Sequence, residues 1–583
     1  MSKPTLDEAF KHHQAGRLAK AQSLYLSALE KSPGNATAMH YLGVIAKQSG
    51  KPDEALDWMT RSLAADPNVP DFHSNLGVLY RDLNRLQEAA ASLCTAIRLR
   101  PMFPEALNNL GDVLRMQNRL AEAEEVLQKS LSIRPSVAAL NNLALVLLDA
   151  NRPKEAAAVL NQALELSPGD PLATRSLSLA MRLSGPAVDA LAACRAAVEN
   201  SPTDADAWYG LGNSLRATRD LPAAADALRQ SLLLRPDHPE VLLSLCGVLT
   251  DLGELPAAIE AGSRAISIDS KSHRARYNLS LALLKSGNLS QAWEFYESRW
   301  HCPGYVGALP ALAKPQWNGG NPANRRILIR AEQGCGDTIQ FSRYIPMLAQ
   351  LGAKVILECQ PELKPLLANL PGVWRVIARG EAPGNYDYHL PLLSLPGIFL
   401  TDWSTIPARA PYLHLDIQRA ATWAGRMAQW PQFKCGLVWA GSALHRDDKS
   451  RSLDLAELAP LAAISGIRFF SLQKDREPQA CFPGLIDLSP HLSDFAETAA
   501  ALTNLDLLIS VDTSAAHLAG ALARPVWALI PFDCDWRWMT GTENSPWYPS
   551  MRLIRQPARG DWSGAIAQVA SLLAGNAAIR RAA

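Results

Sequence analysis

The sequence predicts an all-α array of stacked helical hairpins over its first 300 residues, then an α/β region of two facing, doubly wound parallel sheets. Three observations carry this. Pro33, Pro67, Pro101, Pro135, Pro168, Pro202 and Pro236 recur at steps of 34 residues, once 33, and Ser270 takes the next slot. A period of that length means one supersecondary unit repeated and stacked on itself. The period stops near residue 300, and beyond it short apolar runs alternate with helical stretches, as in parallel strands wrapped by helices.

Inside the repeats the residue types explain themselves. The unit ending at Pro101 carries Leu76-Gly77, Tyr80, Ala89 and Ala96; the one ending at Pro236 carries Leu211-Gly212 and Ala224. Ala55, Ala89, Ala123, Ala156, Ala190, Ala224, Ala258 and Ala292 recur where the two helices of a hairpin approach closely. The glycine after the leucine serves the same approach, with Ser178 and Ser280 replacing it in two units. The proline lacks a donor and clashes with the preceding turn, so it ends the second helix. Period and residue types together resemble the tetratricopeptide repeat family over residues 1–300, as a superhelix of eight or nine units.

Composition narrows the function classes. At 583 residues the chain has room for several domains, and a formal charge of +1 gives no sign of nucleic acid or an anionic membrane surface as partner. The nine cysteines are scattered, with no C-x-x-C and no zinc spacing, and read as thiols of a reducing compartment. The start, Met1-Ser2-Lys3-Pro4-Thr5-Leu6-Asp7-Glu8, has no apolar signal core. No apolar run reaches the roughly 20 residues a span needs; the longest candidate, Leu505–Ile530, is broken by Asp506, Asp512, His517 and Arg524. The expectation is a cytoplasmic protein without a transmembrane segment.

Of the 15 tryptophans, 11 follow residue 300. A connector rich in proline and glycine is expected over 301–324, then a first α/β half over 325–415 and a second over 416–583. Candidate strands are 327–331, 354–359, 373–378, 434–439, 467–472, 505–511 and 525–530, with a loop-rich stretch near 380–415 and a helix near 418–430. Ligands of such sheets sit beyond the carboxyl ends of the strands.

Four segments carry candidate chemistry. Glu332-Gln333-Gly334-Cys335-Gly336-Asp337 follows the first strand and precedes a helix expected over Thr338–Leu351. Its glycines let backbone approach a ligand. Asp337, ionised by the helix dipole, could take a proton from an acceptor hydroxyl. Asp337-x-x-Gln340 is equally a capping-box pattern, and the two roles are compatible. Ser510-Val511-Asp512-Thr513-Ser514-Ala515-Ala516-His517 joins an apolar strand to a helix start, a ready diphosphate site or simply an N-cap with an interior histidine. Trp439 to Ser452 contains Lys449 and Arg451, suited to phosphate oxygens or to a solvated loop. Phe532-Asp533-Cys534-Asp535-Trp536-Arg537-Trp538, with Ser545-Pro546-Trp547-Tyr548-Pro549, could stack on a base or sugar, or pack the facing half.

Taken in order, Gly336-Asp337, the Arg446-Asp447-Asp448-Lys449 loop and Asp512-Thr513-x-x-x-His517-Leu518-Ala519 before Pro525-Val526 resemble the glycosyltransferase family 9 enzymes over residues 325–575. Their best-known members are the lipopolysaccharide heptosyltransferases. Glu332-Gln333-Gly334, Leu472-Gln473 and Asp535-Trp536-Arg537-Trp538 are similar to the subgroup fused to tetratricopeptide repeats. The resemblance implies the GT-B fold and an inverting, metal-independent transfer from a nucleotide-sugar donor, usually ADP-linked, with no other cofactor. It implies Asp337 as general base, with Gln333, Gly334 and Gly336 on the acceptor side. It places the donor at Asp512, Thr513, Ser514, Ala515 and His517, helped by Lys449 and Arg451, with Gln473 or Lys474 near the nucleoside. Ser514 replaces the family's glycine, and the acidic residue that meets the ribose is not evident around 473–480, which leaves the nucleotide open.

Asn75, Asn109 and Asn142 hold one position in three successive units, and Asn278 repeats it. Such a ladder either binds the backbone of a protein or peptide acceptor, as in the architecturally similar O-linked N-acetylglucosamine transferases, or joins neighbouring helices. The sequence therefore suggests a glycosyltransferase whose repeats recruit a protein acceptor. Two alternatives stand beside it: a non-catalytic repeat scaffold with a degenerate nucleotide-binding domain, and an envelope-glycan transferase docked through its repeats.

Overall fold

The computed structural model describes residues 3–168, 170–184, 187–302, 305, 312, 314–442, 448–474, 476 and 481–575. They form two compact units, Met1–Pro236 and Asp237–Ala583.

The first unit is a stack of seven helical hairpins among the described residues, from Lys3–Gln14 with Leu18–Lys31 to Ala205–Ala217 with Leu221–Leu234. Every second helix stops two residues before the periodic proline: Lys31 before Pro33, Ala65 before Pro67, Leu99 before Pro101, Leu234 before Pro236. The small residues sit at the closest approach, with Ala55, Ala89, Ala123, Ala156 and Ala224 at 0% exposure. The glycines are tighter still: a Cβ on Gly77 would lie 2.6 Å from Leu93 Cγ, and one on Gly111 2.4 Å from Leu127 Cγ. Among the described residues, the first five hairpins turn through left-handed Gly16, Gly50, Asn84, Asn118 and Asn151, types that adopt positive φ cheaply, and the seventh through Arg219.

The second unit opens with two more hairpins, Pro239–Leu252 with Leu255–Ile268 and His273–Ser286 with Leu289–Tyr296. The compact division thus falls at Pro236/Asp237, not near residue 300, because the last hairpins share a core with the α/β region. That core joins Leu283 and Trp293 of the final hairpin to Ile327, Ile345, Leu508 and Trp538. Polar bonds reinforce it. Lys285 Nζ lies 3.0 Å from Asp533 Oδ1, Trp293 Nε1 donates to the Thr401 carbonyl at 2.8 Å, and Trp403 Nε1 donates to the Gly287 carbonyl.

Ten strands follow among the described residues: β1 (Arg326–Arg330), β2 (Lys354–Cys359), β3 (Val373–Ala378), β4 (Tyr388–Pro391), β5 (Phe433–Val438), β6 (Ile467–Ser471), β7 (Ile486–Asp487), β8 (Leu507–Val511), β9 (Val526–Ile530) and β10 (Met551–Arg555). They form two sheets, ordered β3-β2-β1-β4 and β10-β9-β8-β5-β6-β7, with every named pair parallel. Both faces of β8 are buried, Leu508 on one side and Leu507, Ile509 and Val511 on the other, as a central parallel strand requires. The order of the second sheet is that of a doubly wound dinucleotide-binding fold, with its switch point between β5 and β8. In the first sheet the reversal falls between β1 and β4.

Several expectations need correction. The loop-rich stretch near 380–415 contains β4, which pairs with β1. Part of the expected connector is not a free linker: Trp317 is buried, and the Trp317 N–H donates to the His389 carbonyl on β4 at 2.8 Å. β7 and β10 were not expected. The helix expected over Thr338–Leu351 is Cys335–Phe341, then a 3-10 turn, Ser342–Tyr344, then Ile345–Gln350.

Candidate functional site

Both switch points end in the loops the sequence singled out. β1 runs into Glu332–Gly336 and the helix Cys335–Phe341; β8 runs into Asp512–Thr513 and the helix Ser514–Ala521. The two helices meet: a Cβ on Gly336 would lie 2.9 Å from His517 Cδ2 and 3.5 Å from Ser514 Cα. Only glycine permits that approach, so Gly336 serves packing between the halves.

Asp337 is the third residue of its helix, and its side chain is 22% exposed. Its Oδ2 accepts from the Gly334 N–H at 3.0 Å, half of a capping box. The N-cap is therefore Gly334, not Asp337, and the expected Asp337–Gln340 box does not form. Gln340 turns elsewhere. Its Oε1 accepts from Arg537 Nε at 2.9 Å, while Arg537 Nη2 donates to Asp337 Oδ1 at 2.5 Å and Nη1 to Asp535 Oδ1 at 2.9 Å. Burial works against the Arg537 charge, but Asp535 and Asp337 raise its affinity for the proton above the ordinary guanidinium value.

Asp512 sits opposite. By area its side chain keeps 17% exposure, yet enclosure by the surrounding loops is the first cause that raises its carboxyl, to about 6. Asp535 adds to the rise, while Trp538, Arg451 and Arg537 pull it back. His517 Nδ1 lies 2.9 Å from the Tyr548 hydroxyl, and its ring stacks on Trp538 at 5.1 Å. Burial, then Arg537, Arg343 and Arg451, pushes the imidazole well below its ordinary value. It is neutral, so its 3.9 Å approach to Asp512 is not an ion pair.

The remaining donor candidates divide. Thr513 is the N-cap of Ser514–Ala521, and its hydroxyl pairs with Ser510 Oγ at 2.9 Å; Ser514 and Ala515 form the first turn. Arg451 lies against Gly441, where a Cβ would come within 2.5 Å of its Nη2, beside the carboxyl end of β5. Lys449 is exposed on the short helix Asp448–Arg451. Gln473 spends its amide on backbone: Oε1 accepts from the Trp439 and Ala440 N–H groups at 3.1 and 2.9 Å, and Nε2 donates to the Ala440 and Lys474 carbonyls. It ties β5's end to β6's end. Ala443, Leu444, His445, Arg446 and Asp447, like most of 475–480, lie outside the described residues.

Gln333 Nε2 donates to the Tyr305 hydroxyl at 2.8 Å. Beneath it, Arg299 at 0% exposure donates to Glu332 Oε1 at 2.7 and 3.2 Å and to Ser394 Oγ at 2.9 Å. Burial pushes the Glu332 carboxyl up to about 7 against the pull of Arg299, whose own proton is held more tightly in return. Those two effects oppose each other, and the paired nitrogens on Oε1 favour the ionic form. Sequence reasoning missed Arg299 and Arg343. Arg343, 3% exposed, donates to the Trp547 carbonyl at 2.7 Å and the Tyr412 hydroxyl at 3.1 Å. A cation among aromatics leaves no local sequence mark.

In the repeats the asparagines are tied to the preceding unit. Asn75 Nδ2 donates to His40 Nε2 at 2.9 Å, Asn142 Nδ2 to Asn108 Oδ1 at 2.9 Å, and Asn278 Nδ2 to the Leu243 carbonyl at 3.3 Å. Asn109 is half-buried at the same position. The helix-joining role is therefore present. Asn75 is nonetheless exposed.

Comparison with known proteins places the repeats. Residues 12–79, 74–138, 141–205, 179–238 and 209–273 match the tetratricopeptide repeat family. Protein FlbA of Caulobacter vibrioides is 29% identical over 325 residues, covering 50% of this chain and 53% of its own. The chain thus spans about half the length of that curated relative. Among solved structures, a tetratricopeptide repeat protein from Parabacteroides merdae matches at 20% identity and TM-score 0.35, covering 42% of this chain and 97% of that one. YrrB, described as a tetratricopeptide repeat protein with an unusual peptide-binding site, matches at 24% identity and TM-score 0.28, covering 32% and 95%. No helix among the described residues is long and apolar enough to cross a membrane.

Proposed function

We propose that the chain is an inverting glycosyltransferase of GT-B type that moves a sugar from a nucleoside-diphosphate donor to a polypeptide acceptor recruited by its repeats. The observation that carries this reading is the facing pair of switch points, with Asp337 on one and the Asp512–His517 helix start on the other, in contact through Gly336. Ligands of such sheets collect at those places. Backbone N–H groups at the start of Ser514–Ala521 suit a diphosphate. Asp337 takes the proton of the acceptor hydroxyl, whose oxygen attacks the anomeric carbon. The bond to the diphosphate oxygen breaks, and that oxygen leaves with the electron pair. Positive groups facing the leaving oxygens are worth a few kcal/mol each; Arg451, near enough to Asp512 to draw its carboxyl down, supports such a role.

The competing reading, a scaffold that binds nucleotide without transfer, draws on one observation: both Asp337 oxygens already accept hydrogen bonds. A thermal-shift screen against ADP, UDP, GDP, CDP and dTDP sugars separates the two. One donor should raise Tm in wild type and not in Asp512→Ala, and its hydrolysis or transfer should vanish in Asp337→Ala while the shift persists. Turnover that survives Asp337→Ala removes the base assignment; a shift with no turnover in wild type favours the scaffold.

A further inference from the structure

Arg537 belongs to neither half alone. It follows β9 in the second sheet's part of the chain, yet two of its three bonded nitrogens reach the helix after β1, to Asp337 and Gln340. Its neighbour Trp538 stacks on His517, so the guanidinium sits between the candidate base and the donor helix. The surroundings are rich in carboxylates (Asp337, Asp535 and Asp512) and hold donors that lack acceptors. Gln340 Nε2, on a residue at 0% exposure, makes no hydrogen bond among the described residues. Neither does Trp538 Nε1, also on a residue at 0% exposure; it is near enough to draw the Asp512 carboxyl down but not in hydrogen-bond geometry. Buried donors without acceptors call for an acceptor-rich ligand.

We propose that Arg537 has two alternative partners: the Asp337 carboxylate, as seen here, and the phosphoryl oxygens of a nucleoside diphosphate seated at Asp512–His517. Resting on the function proposed above, this makes donor binding the event that frees the base. The guanidinium leaves Asp337 Oδ1 for phosphoryl oxygens, a partner it can grip with the same planar fork. The freed oxygen then faces the acceptor hydroxyl. No covalent bond changes in this exchange. Two consequences follow: an ordered reaction, donor before acceptor, and a donor affinity reduced by the cost of parting Arg537 from Asp337.

The test is calorimetric titration of the full chain with ADP, UDP, GDP, CDP and dTDP and the matching monophosphates, for wild type, Arg537→Gln, Arg537→Lys and Asp337→Asn. For the diphosphate that binds wild type, Arg537→Gln should lose at least tenfold in affinity, and lose more for the diphosphate than for the monophosphate. Arg537→Lys should fall between. Asp337→Asn should bind the diphosphate several-fold more tightly, an effect that a purely structural ion pair would not give. Unchanged affinity in Arg537→Gln, or no gain in Asp337→Asn, overturns the exchange while leaving the transferase reading in place. A wild type that binds none of the five overturns both.

Discussion

Asp512 shows how far a residue departs from its free chemistry once the chain encloses it. Its carboxyl is raised to about 6 from an ordinary 3.8, with enclosure as the main cause. A raised carboxyl contributes stability that is full below about pH 4 and is lost as pH rises through about 6. Asp512→Asn removes that loss. The difference in Tm between the variant and wild type should therefore grow between pH 4 and 7 and level off above. A difference that stays flat across this range would contradict the shift. Asp337 and Asp512 were legible in the sequence because each follows an apolar strand and opens a helix, a pattern contained in a dozen residues. Arg537 was visible only as an arginine among tryptophans. Its partner Asp337 lies 200 positions away, and no local pattern announces a contact closed by the docking of two sheets. Gln473 came to the donor side by resemblance alone, and its amide closes four bonds within the protein.

At the scale of the element, the hairpins are held by absence of side chain. Gly77→Ala should cost about 1–3 kcal/mol, the usual penalty of overpacking, because its Cβ would meet Leu93 Cγ at 2.6 Å and the Ala89 carbonyl at 3.2 Å. Urea unfolding checks this, and Leu93→Ala in the same chain should make the substitution far less costly. Equal losses in both backgrounds would mean that Leu93 is not the obstacle. The repeat helices were readable because period, proline and small residues agree. The strands were less so. β4 hides in a stretch with Pro383, Pro391 and Pro396, β7 is two residues long, and β10 carries Arg552 among its apolar positions and ends on Arg555. Their strand character comes from the sheet edge that receives them, which is a tertiary fact.

For the whole molecule, the last two hairpins belong to the α/β unit in a physical sense. Arg299 closes the final hairpin and is bonded to Glu332 at the end of β1, both with side chains at 0% exposure. Removing one partner leaves a buried charge alone, so Arg299→Met should destabilise the second unit by about 3–5 kcal/mol. Replacing both residues by Met should cost much less. Denaturant midpoints of the three chains measure the contrast; a double variant as weak as the single one would show that the charge itself is not the cause. Glu332 directly precedes Gln333–Asp337, so the pair anchors the chain just ahead of the candidate base.

The seam at Pro236/Asp237 has a use for anyone exchanging parts between such chains. The visible period invites a cut near residue 300, after the last hairpin, where composition changes. That cut would strip Lys285, Trp293 and Arg299 from their buried partners. A join made at Pro236/Asp237 instead hands over seven hairpins as an interchangeable cassette and keeps the other two as the α/β unit's own wall.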